Sequence, residues 1–129
     1  MGAAEHDWVR QNVLIEGLQD SVSLGEVHQG FLHYAGEGSS VPEVQKQTLG
    51  LVRELVGDGL ADLGTPNRGR FDAWNLPLDD AMARIEDAYV THFDDRWGWV
   101  TSAWLRLTDK GEKLALELYR ADDSGDPEH

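Results

Sequence analysis

Cysteine is absent from this 129-residue chain, which excludes disulfides, thiolate nucleophiles and thiolate zinc sites together and fits a reducing cytoplasm. Basic side chains are scarce, 11 against 24 acidic ones, for a formal net charge of -13. Such a surplus works against unspecific attraction to nucleic acid or to anionic membrane. No apolar run approaches the ~20 residues that span a bilayer, so no membrane association is expected. The opening Met1-Gly2-Ala3-Ala4-Glu5-His6 lacks the basic and apolar stretches of a secretory signal, and His6 stands where a myristoylation motif wants Ser or Thr. What is present points to a folded core: 40% hydrophobic residues, with five Trp, three Phe and three Tyr. The length fits one domain.

Apolar spacing sets the elements. Trp8, Val9, Val13, Leu14, Ile15 and Leu18 gather on one helical stripe that starts at His6 or Asp7, which leaves residues 1–6 as a flexible N-terminus. Ser23, with Glu26 three residues on, is a capping box for a second helix through Val27, Phe31 and Leu32, closing by Gly36-Glu37-Gly38. Ser40-Val41-Pro42 opens a third, in which Val44, Thr48, Leu51, Val52 and Leu55 form a stripe that ends at Gly57-Asp58-Gly59. Leu60–Leu63 and Phe71–Trp74 read as a hairpin around Pro66-Asn67-Arg68-Gly69. From Pro77 a helix runs to about Phe93, with Leu78, Met82, Ile85 and Tyr89 inward and Asp80, Arg84 and Asp87 as an exposed ion-pair ladder. Trp99 to Leu107 reads as a strand, and Thr108 caps a last helix. Residues 7–120 thus form one domain, and residues 121–129, acidic and without apolar anchor, a disordered tail.

This order of elements resembles a winged helix-turn-helix domain. Two segments carry the resemblance: residues 55–63, Leu-Val-Gly-Asp-Gly-Leu-Ala-Asp-Leu, and residues 104–115, Trp-Leu-Arg-Leu-Thr-Asp-Lys-Gly-Glu-Lys-Leu-Ala. The helix after Pro77 departs from it, because an ordinary wing has only a short loop there. With that helix the chain is similar to a family of small uncharacterised actinobacterial proteins, through Phe71-Asp72-Ala73-Trp74, Leu76-Pro77-Leu78-Asp79-Asp80-Ala81, Arg84-Ile85 and Trp104 to Gly111. The resemblance implies an α+β, winged-helix-like fold: a three-helix core, a small antiparallel sheet, a helix inserted between wing strands, and a C-terminal helix. It implies no activity and assigns no functional residue.

Three function classes follow. Were the chain a DNA-binding regulator, the exposed side of the third helix would read the major groove, through Lys46, Gln47, Gly50 and Arg53, with Arg68 and Arg70 at the wing tip. Residues 41–70 balance four cations against four carboxylates, while the flanking segments carry the acid. Pairing of Lys46 and Arg53 with Glu43 and Glu54 on a solvated face is the plainer expectation. An enzyme is not expected. His28 and His33 are five apart rather than four, the adjacent carboxylate pairs diverge on a helix, and no glycine-rich phosphate loop or nucleophile elbow occurs, so no metal or cofactor is implied. The leading expectation is a protein-binding module, of inhibitor or immunity type, for a basic partner. Its candidate surface is Trp97 and Trp99, at least one of them exposed, rimmed by Asp94, Asp95 and Asp72. Homodimerisation through the first helix, residues 7–20, is a further possibility that its apolar breadth permits.

Overall fold

Every amphipathic stripe needs an apolar partner, and the pairing of these stripes sets the architecture. The computed structural model describes residues 2–35 and 40–124. In chain order its elements are α1 (Gly2–Glu16), β1 (Val22–Ser23), α2 (Leu24–Ala35), α3 (Val41–Gly57), β2 (Ala61–Asn67), β3 (Arg70–Ala73), α4 (Leu78–Glu86), α5 (Arg96–Val100), β4 (Trp104–Leu107) and α6 (Asp109–Ser124). A π-helical turn, Asp87–Thr91, joins α4 towards α5. The fold is mixed α+β, with helices against an antiparallel sheet ordered β1-β4-β2-β3. Val22 and Leu63 both stand opposite Leu105, so β4 ties the short strand β1 to the β2–β3 hairpin.

The helix stripes meet where their spacing directs. Leu14 of α1, Val27 and Phe31 of α2, and Val44, Leu51 and Leu55 of α3 are fully buried together. Leu78, Met82, Ile85, Tyr89 and Phe93 all turn to the core from the next helical stretch. Local signals hold the ends. In the capping box, the Ser23 amide donates to Glu26 Oε2 at 2.6 Å and the Glu26 amide to Ser23 Oγ at 3.2 Å. Ser40 Oγ accepts from the Glu43 amide at 3.3 Å, with Pro42 in the first turn of α3. Thr108 Oγ1 accepts from the Gly111 amide at 3.1 Å and donates to the Gly59 carbonyl at 2.6 Å, so one hydroxyl caps α6 and anchors the end of α3. Gly111 itself touches the backbone of Leu60, where a Cβ would collide with the carbonyl.

Four expectations need correction. The first helix starts at Gly2 rather than at His6 or Asp7, because its first turns are tied to α3: His6 Nε2 lies 2.6 Å from Glu54 Oε1, and Gln47 Nε2 donates to Glu5 Oε2 at 3.3 Å. From Gly2 on, the residues expected as a lead-in are thus the first turns of α1. At the other end, α6 continues through Ser124 into the expected tail; residues 125–129 lie outside the described residues, as do Gly36 to Ser39. The α-helix of α4 stops at Glu86 and widens into the π turn, in which the His92 amide reaches back to the Asp87 carbonyl at 3.2 Å. Finally, Arg84 does not sit in an ion-pair ladder; its guanidinium lies 4.1 Å over the Trp74 ring.

The apolar breadth of α1, read as a dimer surface, is largely taken up within the chain, with Trp8 left 38% exposed. Val9, Val13 and Leu14 are buried against α2 and the core, and Trp8 stacks on His33 at 5.7 Å. Among the described residues no helix is long and apolar enough to cross a membrane.

Candidate functional site

Two surfaces were singled out by sequence, and the fold treats them differently. On α3, Val44, Thr48, Leu51 and Leu55 face inward, which leaves Lys46, Gly50 and Arg53 exposed and Gln47 half-buried. That face does exist as expected. Arg53 and Glu54, however, find their partners on neighbouring helices rather than within α3. Arg53 Nη2 donates to Asp79 Oδ1 of α4 at 2.8 Å. Glu54 receives Arg10 Nε at 2.9 Å and His6 from α1. The expected partners Glu43 and Glu54 thus do not serve Lys46 and Arg53. Packing on α3 brings the Asp79 carboxylate of α4 to Arg53, and Arg10 and His6 of α1 to Glu54. At the hairpin tip, Arg68 and Gly69 have φ of 53° and 78°, the pair of positive values that a two-residue type I′ turn requires. Arg68 and Arg70 are exposed there.

The second surface surrounds α5. Trp97-Gly98-Trp99 leads into no strand; Arg96–Val100 is a short helix, and the strand starts only at Trp104. Asp95 causes this, since its Oδ1 accepts from the Gly98 amide at 3.3 Å and so closes a helical turn. Gly98 is needed for it, because a Cβ there would run into the Asp95 carboxylate. Residues two apart on a helix diverge by ~200°. Trp97 therefore points outward, 79% exposed, and Trp99 inward, 3% exposed. Trp99 as an interface residue is a correction: it donates from Nε1 to the Phe93 carbonyl at 2.8 Å and stacks on the Phe93 ring at 5.0 Å. Asp94 and Asp95 are exposed beside Trp97 in the chain. Asp72 belongs elsewhere, on β3, where its carboxylate takes Asn67 Nδ2 at 2.9 Å.

Behind Trp99 lies a buried polar centre built on His28, whose links to Tyr89 and through it to Gln45 the sequence does not announce. His28, 6% exposed on α2, packs edge-on against Trp99 at 4.9 Å and shares a hydrogen bond from Nδ1 with the Tyr89 hydroxyl. Gln45 Nε2 donates to the Tyr89 carbonyl, within the π turn, at 3.2 Å. Burial, helped by the Arg96 charge, holds the His28 imidazole below its ordinary pKa; burial pushes the Tyr89 phenol up to about 12. Both side chains are neutral at physiological pH. The only hint in the sequence was position, since His28 falls on the inward stripe of α2 between Leu24 and Phe31.

Among the described residues no group of three or more histidines and carboxylates is gathered for a metal ion. No protein-family model, curated protein or solved structure matches this chain.

Proposed function

We propose that the chain is a non-catalytic, winged-helix-like module that binds a basic protein partner through the acidic surface around Trp97. The observation that carries this reading is Trp97 itself, 79% exposed on a helical turn clamped by Asp95. A large ring held out on a capped turn is the kind of side chain that anchors an interface, because an indole offers wide contact area with only two torsions to fix. Asp94 and Asp95 at its side, on a molecule of net charge -13, steer a cationic partner towards it. Inhibitor or immunity-type neutralisation is the concrete form we favour. Support for the finer fold reading comes from the sheet order β1-β4-β2-β3, which suits a winged helix whose two wing strands are β2 and β4, with β3, α4 and α5 inserted between them.

The test is a pull-down comparing wild type with Trp97→Ala, both checked for fold by circular dichroism. A basic protein retained by wild type, lost with Trp97→Ala and eluted by salt supports the reading; identical capture by the two chains contradicts it. DNA binding is the second reading, favoured by Arg68 and Arg70, exposed at the hairpin tip. It requires affinity for mixed duplex at ~50 mM salt, the electrostatic term common to DNA binders, lost on Arg70→Ala.

A further inference from the structure

A groove of about 470 Å³ opens between α1, α2 and α5. Its size falls in the range of small-molecule sites, ~300–1,000 Å³. Trp8, Val13, Val22, Trp99 and Val100 give it apolar walls. Two glycines shape the α2 side: Gly25 and Gly30 let Val100 and Val9 come close, where a Cβ on Gly25 would press on the Val100 side chain. Among the polar residues that line the groove, two differ from the rest of this acidic surface.

The first is His28. Its Nδ1 is turned to Tyr89 in the core, and Nε2 has no partner among the described residues. No buried side-chain nitrogen or oxygen there is both sealed and unpaired, so Nε2 keeps an opening, and the groove is the opening that His28 lines. The phenol is the stronger acid of the Tyr89–His28 pair and imidazole nitrogen the stronger acceptor. With the phenol donating to Nδ1, the ring proton sits on Nε2 as a donor towards the groove, and the role of His28 in the proposal rests on this tautomer. The second is Arg96, exposed at the groove and close enough for its charge to act on His28. Among the described residues it makes no ion pair, although acidic side chains outnumber basic ones 24 to 11. Glu26 also lines the groove, but its carboxylate accepts the Ser23 amide and is held in the capping box. Glu16 lines the groove as well.

We propose that this groove binds a small monocarboxylic acid with an aromatic or similarly bulky apolar body. The body lies between Trp8 and Trp99, and the carboxylate takes the Arg96 guanidinium and the His28 Nε2–H. A guanidinium is suited to carboxylates because its planar fork offers two parallel donors. Arg96 is a binding residue in this account, and His28 a donor held by Tyr89. Glu16 and Glu26 select against acids with a second carboxylate.

Calorimetry on the full chain tests the proposal with three probes of one shape: 1-naphthaleneacetate, 2-(1-naphthyl)ethylamine and 2-(1-naphthyl)ethanol. The acid is expected to bind at least tenfold more tightly than the amine or the alcohol. Arg96→Gln, at an exposed position, should remove at least tenfold of that affinity while circular dichroism stays unchanged. Gln29→Trp, an exposed α2 residue at the groove, should block all three. Equal affinities for the three probes, unaltered binding by Arg96→Gln, or no saturable binding of the acid would each overturn the proposal. Nitrogen-15 spectra of the imidazole give an independent readout: a proton on Nε2 supports it, and a proton on Nδ1 overturns the donor role of His28.

Discussion

A side chain at position 111 would collide with the Leu60 carbonyl, whereas a Cβ at position 50 meets nothing within 4 Å. The two glycines therefore make opposite predictions. Gly111→Ala should destabilise the fold by about 2–4 kcal/mol, since backbone must shift on both sides of the contact. Gly50→Ala, on the exposed face of α3, should stabilise by roughly 0.5–1 kcal/mol through helix propensity. Urea denaturation midpoints check both. The Leu-Thr-Asp-Lys-Gly segment was legible as a cap from the sequence alone, but the need for glycine was not, because the obstructing carbonyl lies in another element. Arg68 tells a similar story at the hairpin tip. Held at a φ of 53°, it should yield about 1 kcal/mol of stability on replacement by Asn, which tolerates that region better. Two of the hydrogen-bonded histidines, His28 and His6, give opposite pH dependences. His28 has a folded pKa below the unfolded one, so its contribution is complete above about pH 6.5 and is lost as pH falls through the lower folded value. His6 is raised by its hydrogen bond to Asp7, with burial opposing and Glu54 adding to the rise, so its contribution is present below about pH 6.5 and fades as pH rises through the folded value. Denaturation midpoints of His28→Phe and His6→Gln against pH should each flatten one limb of the wild-type curve.

Elements whose signals are local were read from sequence with little loss. The Ser23–Glu26 capping box, the Ser40 cap and the stripe of α3 all involve residues within one or two helical turns. Ser23→Ala should accordingly cost about 1 kcal/mol, seen as a lower midpoint. Elements fixed by distant partners were not legible. The first turns of α1 depend on His6 meeting Glu54, 48 residues along the chain, and nothing near His6 announces that. At α5, two tryptophans separated by glycine read as the lead-in to a strand, yet the Asp95 side chain closes a turn over Gly98 and overrides the strand propensity of the rings. The helical turn then splits the pair, one ring to the core and one to solvent. Arg53–Asp79 joins α3 to α4 across exposed side chains, so Asp79→Asn should leave stability within roughly 0.5 kcal/mol of wild type. Its visible effect belongs to the surface, where Arg53 loses its carboxylate.

For the whole molecule, the net charge of -13 acts together with where the few cations go. Arg53 and Arg10 on and beside α3 are paired to carboxylates, and Arg84 lies over Trp74. Arg68 and Arg70 remain at the hairpin tip and Arg96 at the groove. On the function proposed above, a surface so arranged takes a cationic protein in preference to a polyanion, with Trp97 as the anchor. Placing a photo-crosslinking phenylalanine analogue at position 97 in the producing cell tests this most directly. The account predicts a cross-link to a basic protein, weakened when Asp94→Asn and Asp95→Asn are introduced together, since Asn at 95 keeps the helical cap. A cross-link to nucleic acid, or a protein adduct indifferent to those two charges, would contradict it.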